Sequence, residues 1–227
     1  MVINKIYHLA DLHIRNLQRH KEYRLVFKKF LKQVKEDKIE DSVIYIGGDI
    51  AHAKTEMSPE LVQEISWFLT ECSKLRETIL ITGNHDCNLN NHSRLDVLTP
   101  IIDNLKNPRI HYLRDTGIYN IHNLTFVVYS ILDKKENWPS GKSIQGETKI
   151  CLFHGPVNKS QTDIGYTVSS NSFTTEMFDW FDMVLMGDIH KRQILQEYDP
   201  QNGKPIVSYC GSMIQQNHGY GISNIGL

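Results

Sequence analysis

Thr78-Ile79-Leu80-Ile81-Thr82-Gly83-Asn84-His85-Asp86 is the stretch that decides how this chain reads. Its first five residues are apolar and β-branched, the composition of a buried strand. The run then breaks into a glycine, an amide, an imidazole and a carboxylate. Gly83 suits a tight turn there, because without a Cβ it enters φ > 0 at no steric cost. Such a tetrapeptide builds a core badly. It presents metal-binding and proton-carrying groups at the mouth of a sheet well, and four other strand ends in the chain finish the same way.

Residues 5–10 read as a strand that ends in Asp11-Leu12-His13. In extended backbone residues two apart share a face, so Asp11 and His13 aim side by side. A helix is expected over 20–37, where Tyr23, Val26, Phe27, Phe30, Leu31 and Val34 recur at three- and four-residue steps. Ser42–Ile46 is a second strand, ending in Gly47-Gly48-Asp49-Ile50-Ala51-His52. Ser58-Pro59-Glu60 opens a second helix, with Ser58 as N-cap and Pro59 in the first turn; Leu61, Val62, Ile65, Phe68, Leu69 and Cys72 give its buried face. Ser93-Arg94-Leu95-Asp96 fits a capping box, with Thr99-Pro100 restarting the helix. Strands follow over 110–113, 117–121 and 124–130, then a loop over 132–149 and a strand over 150–153 ending in His154-Gly155. After a polar loop (156–172) and a short helix (175–181), the strand 183–186 ends in Gly187-Asp188-Ile189-His190. A closing hairpin joins 194–198 to 206–209 through Asp199-Pro200-Gln201-Asn202-Gly203.

Helices alternate with parallel-type strands in the first half, and antiparallel strands are expected to dominate the second. An α/β architecture satisfies both: two mixed sheets packed face to face and flanked by helices, in one domain spanning 1–227. Ligands of such sheets collect beyond the carboxyl ends of the strands, where all five polar clusters fall.

The chain has 227 residues and a formal net charge of −1, which gives no general electrostatic footprint for nucleic acid. DNA binding must then rest on local patches or bound cations. The four cysteines lack CxxC spacing and read as free thiols of a reducing compartment. No apolar run approaches membrane-spanning length and the first residues run straight into a strand pattern, so a cytoplasmic location, or a nuclear one in a eukaryotic host, is expected.

The candidate metal ligands are Asp11, His13, Asp49, Asn84, His154, Asp188 and His190. Oxygen and imidazole donors without thiolate suit manganese, iron or zinc in a catalytic site. Seven donors exceed what one small ion takes while leaving room for water, but they suit two ions sharing a bridge. Two divalent cations roughly 4 Å apart repel by on the order of 15–20 kcal/mol at an effective dielectric near 20, so a bridging carboxylate is required. Asp49 is the natural bridge. His52 and His85 flank ligand positions and are candidates for protonating a leaving group or steadying its charge. A lone Asp or His after a strand is usually structural. But His13, His52, His85, His154 and His190, five of the eleven histidines, all sit just past strand ends.

Asp11-Leu12-His13, Gly48-Asp49, Gly83-Asn84-His85-Asp86, Phe153-His154-Gly155 and Gly187-Asp188-Ile189-His190, in this order, resemble the calcineurin-like metallophosphoesterase superfamily. Within it, His52 three residues past Asp49, Lys191-Arg192-Gln193 after His190, and Tyr209-Cys210-Gly211-Ser212 resemble SbcD-type nucleases (the meiotic-recombination-eleven family) of DNA double-strand-break repair and recombination. The resemblance implies a four-layered αββα sandwich. It implies that Asp11, His13, Asp49 and His190 hold one Mn2+ and Asp49, Asn84, His154 and Asp188 the other, with Mg2+, Fe2+ or Zn2+ as substitutes. It further implies that His85 acts on the leaving group, that His52 orients the phosphate, and that Asp86 braces its loop. Asp188 departs from the pattern, which usually has His there; a carboxylate adds negative charge and lowers the Lewis acidity of its ion. The resemblance also implies a DNA-capping domain and a segment docking on a coiled-coil SMC-like ATPase, neither of which this chain reaches.

The leading expectation is therefore a manganese-dependent DNA phosphodiesterase with endonuclease and 3′-to-5′ exonuclease modes. Arg15, Arg19, Lys21, Lys191 and Arg192 are the candidate backbone-phosphate contacts. Two alternatives compete with it: a phosphatase or cyclic-nucleotide phosphodiesterase acting on small substrates, and a non-catalytic assembly subunit. A homodimer through the helices near 61–72 and 93–105 is a further expectation from the family. His8, His92 and His218 read as structural or solvated.

Overall fold

The apolar runs pair so that their polar ends finish level. In the computed structural model, which describes residues 1–214 and 216, β1 (Lys5–Leu9), β2 (Ser42–Ile46), β3 (Glu77–Leu80) and β4 (Ile110–Tyr112) form one sheet in that order. All its pairings are parallel. Leu9 lies opposite Ile46, and Ile46 opposite Leu80, so Asp11, Asp49 and Asn84 emerge along one edge.

Period-two alternation divides each strand between two cores. Ile44, Ile46 and Leu80 face α1 (His20–Glu36) and α2 (Pro59–Leu75), where Tyr23, Phe27, Phe30, Leu61, Ile65 and Phe68 are buried. Phe27 stacks on Phe68 with ring centroids 4.0 Å apart. The opposite face, with Val43, Tyr45, Ile79 and Ile81, packs on Phe126, Val128, Ile150, Leu152 and Leu185 of a second sheet. That sheet contains β5 (Gly117–Ile121), β6 (Leu124–Tyr129), β7 (Thr148–His154), β8 (Met183–Gly187), β9 (Gln193–Gln196) and β10 (Ile206–Tyr209), in the order β5-β6-β7-β8-β10-β9. Its outer face is covered by single 3₁₀ turns at Lys135–Asn137, Gly141–Ser143 and Thr175–Phe178, and by Trp138, Phe173, Phe178 and Phe181.

The layered α/β architecture is the expected one, with four differences in detail. The first sheet is wholly parallel rather than mixed. In the second sheet three of the five pairings are parallel, against an expectation of antiparallel dominance. The long connections at 130–147 and 155–182 let the chain cross over before pairing, as parallel strands require. The expected helix over 175–181 is one 3₁₀ turn, so the fourth layer is turns and aromatic side chains. No helix forms over 93–98: Asp96 instead caps α3 (Thr99–Leu105), accepting from Leu98 N–H at 2.9 Å, Thr99 N–H at 2.8 Å and Thr99 Oγ–H at 2.7 Å. Ser58, by contrast, caps α2 as its sequence predicts, with Oγ accepting from Leu61 N–H at 3.2 Å.

All four cysteines are free thiols. The apolar positions of α2 named as its buried face are spent on this chain's own core, so a second copy would have to meet other residues. Among the described residues no helix is long and apolar enough to cross a membrane. His218 lies outside the described residues.

Asp96 also accepts from Arg114 Nε at 2.8 Å, and its backbone and side-chain donors hold its carboxyl below the ordinary value although burial opposes this. A depressed carboxyl stabilises the fold above its unfolded pKa and ceases to as pH falls through the folded one. Asp96→Ala should therefore cost about 2 kcal/mol at pH 7, the sum of a lost cap and a lost charged hydrogen bond. In urea unfolding the difference from the parent should shrink steadily as pH falls below about 4.

Candidate metal centre

Four residues where the polar clusters meet share an uncommon backbone conformation. Asp11, His13, Asp49 and Asp188 all have positive φ, at 55°, 44°, 53° and 94°, a region non-glycine residues seldom occupy. Each is held by other parts of the chain. Asp11 N–H donates to the Gly48 carbonyl at 3.1 Å and His13 N–H to the Asp49 carbonyl at 2.9 Å, while Tyr23 Oη–H donates to the His13 carbonyl at 2.5 Å. Asp188 N–H donates to Asp11 Oδ1 at 3.0 Å. Asp86 accepts from Gly83 N–H at 3.0 Å, Ala51 N–H at 2.9 Å and Ile50 N–H at 3.3 Å, bracing the loops behind Asp49 and Asn84.

The side chains converge from both sheets. His13 Nε2 and His190 Nε2 face one another at 3.1 Å. Asp49 divides its oxygens: Oδ2 lies 3.5 Å from His13 Nε2, and Oδ1 lies 3.4 Å from His154 Nε2. His154 Nε2 is also 3.0 Å from Asn84 Oδ1 and 3.9 Å from Asp188 Oδ1. His190 Nε2 is 4.0 Å from Asp11 Oδ1. The donor atoms of Asp11, His13 and His190 lie within 4.8 Å of one another, and so do those of Asp11, Asp49 and His154. All seven candidate ligands thus reach one locus. His85 borders it, its backbone N–H donating to Asp49 Oδ1 at 2.8 Å and its ring Nδ1 paired with the His52 carbonyl at 2.7 Å. The rings of His85 and His52 stack 5.7 Å apart.

Residues 4–192 match the model of the calcineurin-like phosphoesterase family. The chain belongs to that family. It is also 40% identical over 236 residues to an uncharacterized protein of Acanthamoeba polyphaga mimivirus, a match that covers 99% of this chain and 17% of that protein's length. A crystal structure of the protein TT1561 from Thermus thermophilus shares the fold, with a TM-score of 0.52 at 10% identity over 91% of this chain and 88% of that one. A structure described as a novel archaeal phosphodiesterase aligns with a TM-score of 0.46 at 14% identity, covering 94% and 87% of the two chains.

The electrostatics of this locus are set by buried carboxylates and imidazoles lying close together. Asp11 and Asp49 are buried, at 0% and 2% exposure. Burial raises the Asp11 carboxyl above its ordinary value, and Asp49 and Asp188 push it the same way. Burial opposes charge on Asp49 too, but His154 and His13 override it and hold Asp49 ionised. Burial likewise works against a proton on His154, yet Asp49, Asp11 and Asp188 raise its pKa above the ordinary imidazole value. Burial lowers His13 to about 3 and depresses His190, leaving both imidazoles neutral. Carboxylates gathered this closely, Asp11 and Asp188 both raised above the ordinary carboxyl value by burial first, favour a positive charge placed among them. The donor set fits divalent ions of the manganese, iron or zinc type, and the 3.1 Å between two imidazole nitrogens suits two ligands each about 2.0–2.1 Å from one ion.

The five basic residues expected to contact DNA are dispersed. Arg15 lines the cavity with His13, Asp49, His52 and His85, its Nε shielded from solvent without a hydrogen-bond partner. Arg19 forks onto Glu22 at 2.8 and 2.6 Å. Lys21 is exposed at the start of α1, and Lys191 donates to Gln161 Oε1 at 2.8 Å. Arg192 lines a separate groove beside β1 and β10.

Several contributing residues carried no clear signal in the sequence. Ser212 Oγ–H donates to the Asp11 carbonyl at 2.7 Å, and Tyr209 Oη–H donates to the Gly155 carbonyl at 2.8 Å, bracing the turn after His154. Both lie in the Tyr209-Cys210-Gly211-Ser212 stretch that the family resemblance singled out without a role. Gln216 lines the cavity and donates to the Leu12 carbonyl at 3.3 Å. Gly83 is needed for a reason other than the one its sequence suggests. Its φ is not positive; a Cβ there would lie 2.1 Å from Asp49 Oδ1 and 2.2 Å from Asp49 N. Gly83→Ala should therefore displace Asp49 and destabilise the metal-free protein by about 1–3 kcal/mol. Manganese should raise the melting temperature of the parent by mass action and leave that of the variant almost unmoved.

Proposed function

We propose that this chain is a two-metal phosphodiesterase acting on DNA, with manganese as its ion. The observation that carries the reading is Asp49, whose two oxygens face two donor sets, each drawn from both sheets. Asp11, His13, Asp49 and His190 would hold one ion, and Asp49, Asn84, His154 and Asp188 the other. When bound, the pair supplies Lewis acidity and an activated water for attack on phosphorus.

The remaining residues handle the substrate. His85 Nδ1–H donates to the His52 carbonyl, which leaves Nε2 for the cavity, where a second ring proton held on it would pass to the departing oxygen. His52 is held neutral by burial and by nearby Arg15, so it hydrogen-bonds the phosphate rather than donating a proton to it. Arg15, with its shielded Nε on the same wall, counters phosphate charge. Asp188 stands where the family pattern has His. The extra carboxylate would bind its ion more tightly by charge and leave it a weaker Lewis acid.

A second reading, hydrolysis of a small phosphoester at the same centre, draws on one observation. Of the five basic residues expected to track DNA, only Arg15 lines the cavity. Parallel turnover of single-stranded oligonucleotides and of a chromogenic phosphodiester separates the two readings. Manganese should support oligonucleotide cleavage and chelation should abolish it. Asp49→Asn should remove activity on both substrates together with most of the manganese binding seen by calorimetry. His85→Ser should keep manganese bound while turnover drops about 10²–10⁴-fold, the usual worth of a general acid. An Asp49→Asn protein that cuts as fast as the parent would refute the mechanism.

A further inference from the structure

Away from the metal centre, one carboxylate oxygen serves two imidazoles. Glu77 Oε2 lies 3.0 Å from His111 Nε2 and 3.1 Å from His122 Nε2. Glu77 opens β3, His111 is the middle residue of β4, and His122 belongs to the turn joining β5 to β6. Two of the three therefore come from the first sheet and one from the second. They close the sandwich at the amino ends of the strands, and the extended chain from Glu77 to Gly83 covers about 20 Å.

Alternation turns Glu77 and His111 toward the second sheet. Glu77 stands two residues before Ile79, and His111 two before Leu113; both of these apolar residues are buried in the layer between the sheets. Ile79 also lies opposite His111 in the ladder. A carboxylate and an imidazole thus begin rows that continue as Ile79, Ile81 and Leu113. His122 is brought to them by its backbone. Ile121 pairs with Leu124, which leaves His122 and Asn123 as a two-residue turn. His122 takes φ 56° there, where such turns ordinarily use Gly, Asn or Asp. Asn123 Oδ1 accepts from Ile3 N–H at 2.6 Å and pins the turn to the segment leading into β1. The side chains of His111, His122 and Glu77 are 29%, 25% and 23% exposed, so an ion and its water can reach them.

We propose that Glu77, His111 and His122 form a zinc site that joins the two sheets, separate from the phosphoesterase centre. Two imidazoles and a carboxylate are a donor set of zinc, with water in the fourth position of a tetrahedron. The ion would replace the shared contact at Oε2, both Nε2 atoms and one carboxylate oxygen closing to about 2.0–2.2 Å from it. Any hydrogen that Nε2 lends to the carboxylate passes through solvent to Nδ1 of the same ring, so neutral imidazole binds through a free lone pair. The shift this asks falls on a partly exposed carboxylate and on a side chain carried by a turn. Amide or hydroxyl side chains would serve a hydrogen-bonded clamp equally well; an imidazole at both positions is the choice an ion accounts for.

Asp49→Asn is the background in which to look, since the first centre then holds few ions. Zinc should raise the melting temperature of Asp49→Asn by about 5–10 °C at a hundredfold excess over its Kd, and magnesium should not move it. Adding His122→Asn, which keeps a residue suited to positive φ, should leave the zinc-free melting temperature nearly unchanged and abolish the rise. Glu77→Gln, with the same shape and no charge, should weaken the response. Cobalt(II) in place of zinc should show the visible absorption of a tetrahedral ion and lose it with His122→Asn. In equilibrium dialysis the parent chain should retain one zinc more than its His122→Asn variant. Equal zinc content, a rise in melting temperature that survives His122→Asn, or one that magnesium reproduces would overturn the site. Each of these outcomes leaves the phosphodiesterase reading where turnover puts it.

Discussion

His154 holds the two halves of this molecule to one another at the point where chemistry is possible. It ends β7 in the second sheet, and its Nδ1 lies 2.7 Å from the carbonyl of Gly47, just past β2 in the first. That carbonyl can only accept, so Nδ1 carries the hydrogen and Nε2 is turned to Asp49, Asn84 and Asp188. One buried contact thus ties the two sheets together, sets which ring nitrogen of a candidate ligand faces the cavity and places it against Asp49. The glycines around it follow from this closeness. A Cβ on Gly48 would lie 2.6 Å from His154 Nδ1, and one on Gly187 2.8 Å from it.

The rest of the centre is a place where the fold stores unfavourable energy. Four residues with positive φ, each worth about 1–3 kcal/mol of backbone strain, lie beside carboxylates buried near one another. Cores on both sides of the first sheet, and hydroxyls such as Tyr23 and Ser212, oppose this cost. The hydroxyls of Tyr23 and Ser212 come from segments that contribute no candidate ligand. A site built this way is prepared before its ions arrive and needs little rearrangement to receive them.

Charge explains why the overall composition says so little. The net charge of −1 is a sum over the whole chain and does not register that Asp11, Asp49 and Asp86 are buried. Of the basic residues near the clusters in sequence, Arg19 and Lys191 are spent on local partners and Arg192 turns to another groove. Of the five, Arg15 lines the cavity with the candidate ligands.

The sequence by itself determined the layered class of fold, the level at which the strands end and which polar residues follow them. Those features are local: apolar runs of strand length, helical spacing, and polar residues at fixed offsets from each run. Pairing within the second sheet was not legible, because parallel and antiparallel neighbours use the same alternation and long connections permit either. Asp96 was placed in the wrong helix turn for a related reason, since a carboxylate three residues before Thr99 serves a cap as well as a capping box does. Only the tertiary structure decided that Gly83 is required by the approach of Asp49, that Tyr23 and Ser212 carry the strained backbone, and which of five basic residues faces the cavity. Each depends on residues far apart in the chain being brought within a few ångströms, and spacing along a sequence carries no record of such distances.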